Sequence, residues 1–164
     1  MGKRRKKQAE ISREAPSCDP GLFVKKGTGN TNRIYRYEGG FKWSRIRAER
    51  YKKESAGWSS IARHVLVGNN GESAKFHLRY FEIAPGGNSS LEYHKHEHAV
   101  VCIRGRGDVL IGRKTHTISY LDTVYIAPDT VHRLANPYDE PFGFFCIVNA
   151  KRDKPKQVVR NKTA

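Results

Sequence analysis

Short runs of apolar residues, several of them alternating with polar ones, fill the chain from Ser60 to Asn149. They are rich in β-branched and aromatic side chains and cover residues 61–67, 75–84, 99–104, 107–111, 115–120, 122–127 and 142–149. Turn signals rich in Gly, Asn and Pro separate them, such as Pro85-Gly86-Gly87. Short strands at this spacing predict an all-β sandwich or barrel. Because no internal repeat is visible, we expect one barrel.

The flanking regions differ from this pattern. Residues 1–21 join a basic cluster to a stretch rich in Pro, Ser and Gly, which is typical of disordered segments. Residues 22–60 contain scattered aromatic residues without a sustained period. The predicted organisation is a basic disordered arm (1–21), an irregular extension that packs on the barrel or on a partner subunit (22–60), the barrel (61–150) and a basic tail (151–164).

The charge is concentrated at the two ends of the chain. The net charge is +15, of which residues 1–60 contribute +10, residues 61–150 zero and residues 151–164 +5. A neutral body with basic ends is typical of proteins that bind phosphate-rich polymers. Solvated tails that only keep the protein soluble explain the same charge distribution equally well.

Neither a membrane span nor a disulfide framework is predicted. No apolar run approaches the ~20 residues of a transmembrane helix, and no apolar stretch follows the basic start as it would in a signal peptide. Three cysteines, Cys18, Cys102 and Cys146, are widely spaced and odd in number. We therefore expect a cytoplasmic protein with reduced thiols and no membrane partner.

Four of the seven histidines lie in two short stretches. The first, residues 86–107, reads GGNSSLEYHKHEHAVVCIRGRG, and its Glu92, His94, His96 and His98 would share one face of an unbroken strand. The second contains His132. Imidazole nitrogens beside a carboxylate suit first-row transition metals. The sequence therefore predicts a site for one divalent metal ion.

Both stretches resemble the two sequence motifs of the cupin superfamily. The spacing of Gly86, Glu92, His94, His98 and Gly105 matches the first motif, with Glu92 where the family has its first His and His98 where it has Glu. The second motif ends in a His and an Asn with three residues between them, as His132 and Asn136 do here.

The resemblance implies a single cupin barrel, a double-stranded β-helix or jelly roll, that carries the basic N-terminal arm and the short basic C-terminal tail. It also implies that Glu92, His94, His98 and His132 hold one Mn, Fe, Ni or Zn ion. His96 would fall in the bend between two strands, either as a group behind the ligands or as the second ligand in place of His94.

Two cysteines are candidates for a catalytic role. Counting by twos from His98 places Cys102 on the same strand face, and Cys146 lies in the predicted strand FGFFCIVN. A thiol near a metal ion can act as nucleophile or redox centre, although a buried Cys is more often a small core residue. His64 and His116 are expected on strand surfaces.

The segments HLRYFEIAPGG and GFFCIVNAKRDKP resemble a narrower group of cupins. This group includes a bacterial enzyme that uses manganese and acts on 1-methylthio-xylulose 5-phosphate. The resemblance implies a polar or phosphorylated small-molecule substrate. Cys146 stands at a position where this group also has a cysteine. The wider resemblance to cupins, which often exchange N-terminal strands, implies a homodimer, and residues 22–60 could serve for that exchange.

Three functions are consistent with these observations. The first is a metal-dependent enzyme with isomerase, lyase, thiol-transfer or dioxygenase chemistry, and the intact set of metal donors supports it. The second is a non-catalytic cupin that binds RNA or the ribosome through residues 1–60 and 151–164, because Lys and Arg bind phosphates without reading sequence. The third is a ligand sensor, in which the barrel binds a metabolite and the basic ends bind a polymer. It ranks last because no helix-turn-helix signature lies beside the predicted barrel.

Overall fold

The structure is a computed structural model that describes residues 32–51 and 57–158. Within these ranges the chain forms thirteen β-strands and no helix. The strands are β1 (Tyr37–Gly39), β2 (Lys42–Trp43), β3 (Glu49–Arg50), β4 (Ser59–Val67), β5 (Phe76–Asn88), β6 (Glu92–Tyr93), β7 (His98–Arg104), β8 (Gly107–Ile111), β9 (Lys114–Ile118), β10 (Thr123–Ile126), β11 (His132–Ala135), β12 (Phe142–Asn149) and β13 (Lys156–Gln157).

The strands from β3 onwards form one antiparallel sheet that curls into a barrel, as predicted. The central strand, β5, pairs with β4 on one side and with β12 on the other. Strand β12 pairs in turn with β7, which pairs with β10. Strand β11 lies between β8 and β6. No helix in the described part of the chain is long and apolar enough to cross a membrane.

The barrel core consists of alternate residues on facing strands. Along β12, Phe142, Phe144, Cys146 and Val148 are all buried. Side chains two residues apart on a strand point to the same face, so this register directs them together into the interior. The rest of the buried cluster comes from the other strands of the wall: Ile61, Phe81, Ile83, Val100, Cys102, Val109, Ile118, Ile126 and Leu134.

A second apolar layer lies on the outer face of the wall, where the β1–β2 hairpin covers it. The ring of Tyr80 stacks on Phe41 at 5.2 Å and packs against Trp43 at 5.1 Å. His64 joins this cluster and is buried. The expectation of a surface His64 is therefore wrong, because the hairpin covers that face. His116 is exposed, as predicted.

Each of the seven predicted segments overlaps a strand, but Pro85-Gly86-Gly87 does not separate two strands. It lies within β5, at a shift in the pairing with β4. Strand β5 advances five residues, from Ile83 to Asn88, while β4 moves two, from Ile61 to Ser59. Gly86 has a φ of 73°, which glycine adopts without strain. The three extra residues bend β5 away from β4 towards β11.

Candidate metal centre

Three histidines come together at one place inside the barrel. His98 begins β7, His132 begins β11, and His94 directly follows β6. All three are buried, and one nitrogen from each lies within 4.8 Å of those of the other two. Pairing of β6 with β11 sets Glu92 opposite His132, so the two motif stretches converge on the same point.

Hydrogen bonds fix which nitrogen of two of these rings carries the proton. Nδ1 of His94 lies 2.7 Å from the carbonyl oxygen of His96, and Nδ1 of His132 lies 2.8 Å from that of Thr130. A carbonyl only accepts, so each Nδ1–H donates and each Nε2 keeps a lone pair. Protein histidines that bind metals are oriented in this way.

The remaining nitrogens are suited to a cation. Nε2 of His94 and Nε2 of His98 are buried and have no hydrogen-bond partner in the part of the chain that the structure describes. Burial, and then the neighbouring His132 and His94, lower the pKa of His98 to about 2. Burial also lowers the pKa of His94, with His96 and His132 acting in the same direction. Neutral imidazoles with orphaned lone pairs fit a divalent transition metal.

Glu92 and His96, the other two predicted metal residues, line the same cavity. Glu92 is buried beside this three-histidine group without belonging to it. His96 lies in a bend, as predicted, and its Nδ1 is 2.8 Å from Oδ1 of Asp153. Its ring stacks on that of His94 with a centroid separation of 3.6 Å. His94 therefore belongs to the three-histidine group, while His96 packs against the ring of His94 and lies outside that group.

The histidines open into a cavity of about 200 Å³. One part of its wall is apolar and is formed by Ile61, Phe81, Val100 and Phe144. Tyr51 also lines it, and burial, followed by the charge of Glu92, raises the pKa of that phenol.

The two candidate cysteines lie in different environments. Cys146 lines the cavity, and its Sγ lies 3.2 Å from Nη2 of Arg79 and 3.6 Å from Nδ1 of His98. Burial raises the pKa of the Cys146 thiol, and the positive charge of Arg79 opposes that shift. Cys102 is buried in the core, where its thiol faces the carbonyl oxygens of Arg104 and Gly105 at 3.6 Å. Of these two cysteines, Cys146 lines the cavity and Cys102 does not.

Three arginines in the cavity wall were not foreseen as site residues. They are Arg63 on β4, Arg79 on β5, and Arg152 after β12. A sequence signal for two of them exists. Arg79 is two residues from Phe81, and Arg63 is two from Ile61, so each shares the inward face of its strand with a core residue.

The predicted basic arm, residues 1–21, lies outside the described residues. Binding of RNA or the ribosome through the chain ends and formation of a homodimer both stay predictions.

Comparison with known proteins fits this geometry. Residues 79–148 match the family described as the cupin domain. The 1-methylthio-D-xylulose 5-phosphate methylsulfurylase of Rhodospirillum rubrum is 40% identical to this chain over 129 residues, which are 77% of this chain and 81% of that protein. The chain belongs to the cupin family. The resemblance found in the two motif stretches is thereby confirmed.

Two solved cupin structures agree with this assignment. A cupin-2 domain protein from Rhodospirillum rubrum is 38% identical with a TM-score of 0.68, covering 77% of this chain and 84% of that one. A cupin 2 conserved barrel domain protein from Rhodopseudomonas palustris is 31% identical with a TM-score of 0.71, covering 77% and 87%. These two cupins share the barrel fold of this chain.

Proposed function

We propose that this cupin is a metal-dependent enzyme acting on a small phosphorylated metabolite. The observation that carries the proposal is the set of orphaned Nε2 atoms of His94 and His98, which are buried beside His132 at a cavity that also contains a thiol. Leaving buried polar atoms unpaired is unfavourable, so a bound cation accounts for an arrangement that the protein atoms alone do not.

In this proposal His94, His98 and His132 hold the ion through Nε2. Glu92 supplies a fourth, anionic donor, and His96 orients His94 by stacking on it. When bound, a divalent Mn, Fe, Ni or Zn ion supplies a Lewis acid that polarises a carbonyl or hydroxyl oxygen of the substrate.

The chain's own residues would bind and orient the substrate beside this centre. Phe81 and Phe144 line one part of the cavity, and their apolar side chains would exclude water from it. Cys146 faces the same space, so its thiol would contact the substrate as nucleophile or proton donor. The guanidinium of Arg79, 3.2 Å from Sγ, would stabilise negative charge that develops there. Isomerase, lyase and thiol-transfer chemistry are all compatible with this placement.

The name of the Rhodospirillum rubrum relative supports a phosphorylated substrate. That protein is called a 1-methylthio-D-xylulose 5-phosphate methylsulfurylase. Its 40% identity to this chain makes 1-methylthio-D-xylulose 5-phosphate the first compound to test here.

The first test is elemental analysis of the full chain purified without a histidine tag. We expect about one equivalent of Mn, Fe, Ni or Zn in the wild type and in His116→Ala, and its loss in His98→Ala. His116 is the matched control because it is exposed on β9. Absence of metal from the wild type after reconstitution with each ion would contradict the proposal.

The second test compares the two buried cysteines. We expect Cys146→Ser to stop turnover of 1-methylthio-D-xylulose 5-phosphate while keeping the metal. Cys102→Ser should retain turnover, since a serine hydroxyl can still donate to the carbonyls that face it. The opposite result would move the catalytic role to Cys102.

A further inference from the structure

The cavity carries more positive charge than the proposed metal centre explains. Three arginines line it, while Glu92 is the one acidic residue among the described residues of its wall. Arg63 and Arg79 are half-buried and Arg152 is exposed, and partly desolvated cations are stabilised by a nearby negative charge. A divalent cation at the histidines would add further positive charge. The charge of the cavity wall therefore favours an anionic occupant.

Existing contacts hold the guanidinium groups in place without neutralising the set. Nη2 of Arg63 lies 2.6 Å from Oε2 of Glu49. Arg79 contacts the Cys146 sulfur and lies over the ring of Phe81 at 5.1 Å. The Nε atoms of Arg63 and Arg79 are buried and have no hydrogen-bond partner in residues 32–51 and 57–158. These Nε–H groups are donors for which the described chain provides no acceptor.

The third arginine arrives from the C-terminal segment. Nη1 of Arg152 donates to the carbonyl of Asn149 at 3.0 Å. The neighbouring Asp153 accepts from the backbone N–H of Lys95 at 2.9 Å and from Nδ1 of His96 at 2.8 Å. These two hydrogen bonds hold Asp153, and with it the neighbouring Arg152, beside the cavity. Burial and the charges of Arg79 and Arg63 lower the pKa of Arg152. The three guanidinium groups therefore lie close enough to repel one another.

We propose that Arg63, Arg79 and Arg152 form a binding site for the phosphate group of the substrate. Guanidinium groups bind phosphate oxygens through paired, charge-assisted hydrogen bonds. The substrate would then reach from this site to the three-histidine group, past Cys146. The proposal rests on the proposed function only in assigning the phosphate to the substrate, because binding of an oxyanion by the arginines requires no metal.

The test is calorimetric titration of inorganic phosphate into the full chain after removal of metal with a chelator. We expect saturable binding in the wild type, weakened about tenfold or more in Arg63→Gln and in Arg152→Gln, since each loses charge-assisted hydrogen bonds. Arg133→Gln is the matched control. It removes the same charge from an exposed position on β11, and we expect no change in affinity.

Three outcomes would overturn the phosphate site. The first is that the wild type does not bind phosphate, and the second is that all three variants weaken binding equally. The third is that phosphate binds only after metal is restored, with an affinity that Arg63→Gln and Arg152→Gln do not change. Because Arg152 is exposed, Arg152→Gln remains a fair test even if Arg63→Gln folds poorly, which thermal melts would reveal.

Metal analysis of the same samples separates this proposal from the proposed function. Phosphate binding in a protein that never takes up metal would remove the enzyme proposal and leave the arginine site in place. Metal uptake without phosphate binding would do the reverse.

Discussion

Sγ of Cys146 lies 3.6 Å from Nδ1 of His98. The two residues belong to neighbouring strands, because β12 pairs with β7 and sets Cys146 opposite Val100. If Nε2 of His98 is to bind a metal, the proton of the neutral ring must be on Nδ1, which then donates to the sulfur. In that state the cysteine would be the hydrogen-bond partner that orients this histidine.

Replacing Cys146 should therefore change metal affinity in a way that depends on hydrogen bonding. Val is similar in size but accepts no hydrogen bond, so Cys146→Val should weaken metal binding about tenfold or more, as losses of such partners do. Cys146→Ser retains an acceptor and should stay within a few-fold of the wild type. Competition with a chromophoric chelator measures both, and equal affinity of Cys146→Val and wild type would contradict this role.

Asp153 should influence phosphate binding through the placement of Arg152. Asp153→Ala removes two hydrogen bonds that hold the C-terminal segment, so we expect about threefold to tenfold weaker binding of inorganic phosphate. Metal content should not change, because no member of the three-histidine group is altered. Asp139→Ala, at an exposed position, controls for the lost charge. Loss of metal in Asp153→Ala would show instead that the residue acts through His96.

Glu72 should give the protein a stability that depends on pH. Burial acts to raise the pKa of Glu72. Hydrogen bonds from the Tyr35 hydroxyl and from the backbone N–H groups of Asn70 and Gly68 outweigh it and lower that pKa to about 2. Because the folded pKa lies below the unfolded value, the contribution is complete above the unfolded value of 4.5 and is lost as the pH falls towards 2.

We expect Glu72→Gln to reduce the free energy of unfolding at neutral pH by about 1–2 kcal/mol, a value kept small because water screens a partly exposed group. The difference from the wild type should shrink as the pH falls below 4.5. Urea unfolding at a series of pH values measures it. The exposed Glu38→Gln is the control, and a difference independent of pH would contradict the assignment.

Gly107 leaves room for a core aromatic ring. A Cβ atom at this position would overlap the ring of Phe142, which is completely buried. Gly107→Ala should therefore destabilise the barrel by about 1–3 kcal/mol, as overpacking does. In a Phe142→Leu background the added methyl group should cost less. A double-mutant cycle measured by urea unfolding tests this coupling, and simple additivity would contradict it.

The sequence supported the barrel and the three-histidine group because both depend on local signals. Turn residues delimit the strands, and His94 and His98 have a spacing typical of one family. The inward arginines were missed for a physical reason. Alternation divides Arg79 and Tyr80 between two faces, but both faces of β5 are covered, and only the folded barrel shows which face borders the cavity.

Contacts between distant parts of the chain were equally invisible. Asp153 and His96 are 57 residues apart, and no pattern along the chain connects them. The burial of His64 depends on Trp43 of the β1–β2 hairpin, a region without periodicity. Pro85-Gly86-Gly87 has the composition of a turn, and its use as a bend within a single strand follows from pairing with β11.

The bend at Pro85-Gly86-Gly87 keeps β5 continuous, so a single strand belongs to two parts of the barrel wall. Its first part pairs with β4 and β12, and its end, at Asn88, pairs with β11. Local opening of the wall at β5 would break its pairing with β4, β12 and β11 together, so we expect these strands to open as one cooperative unit.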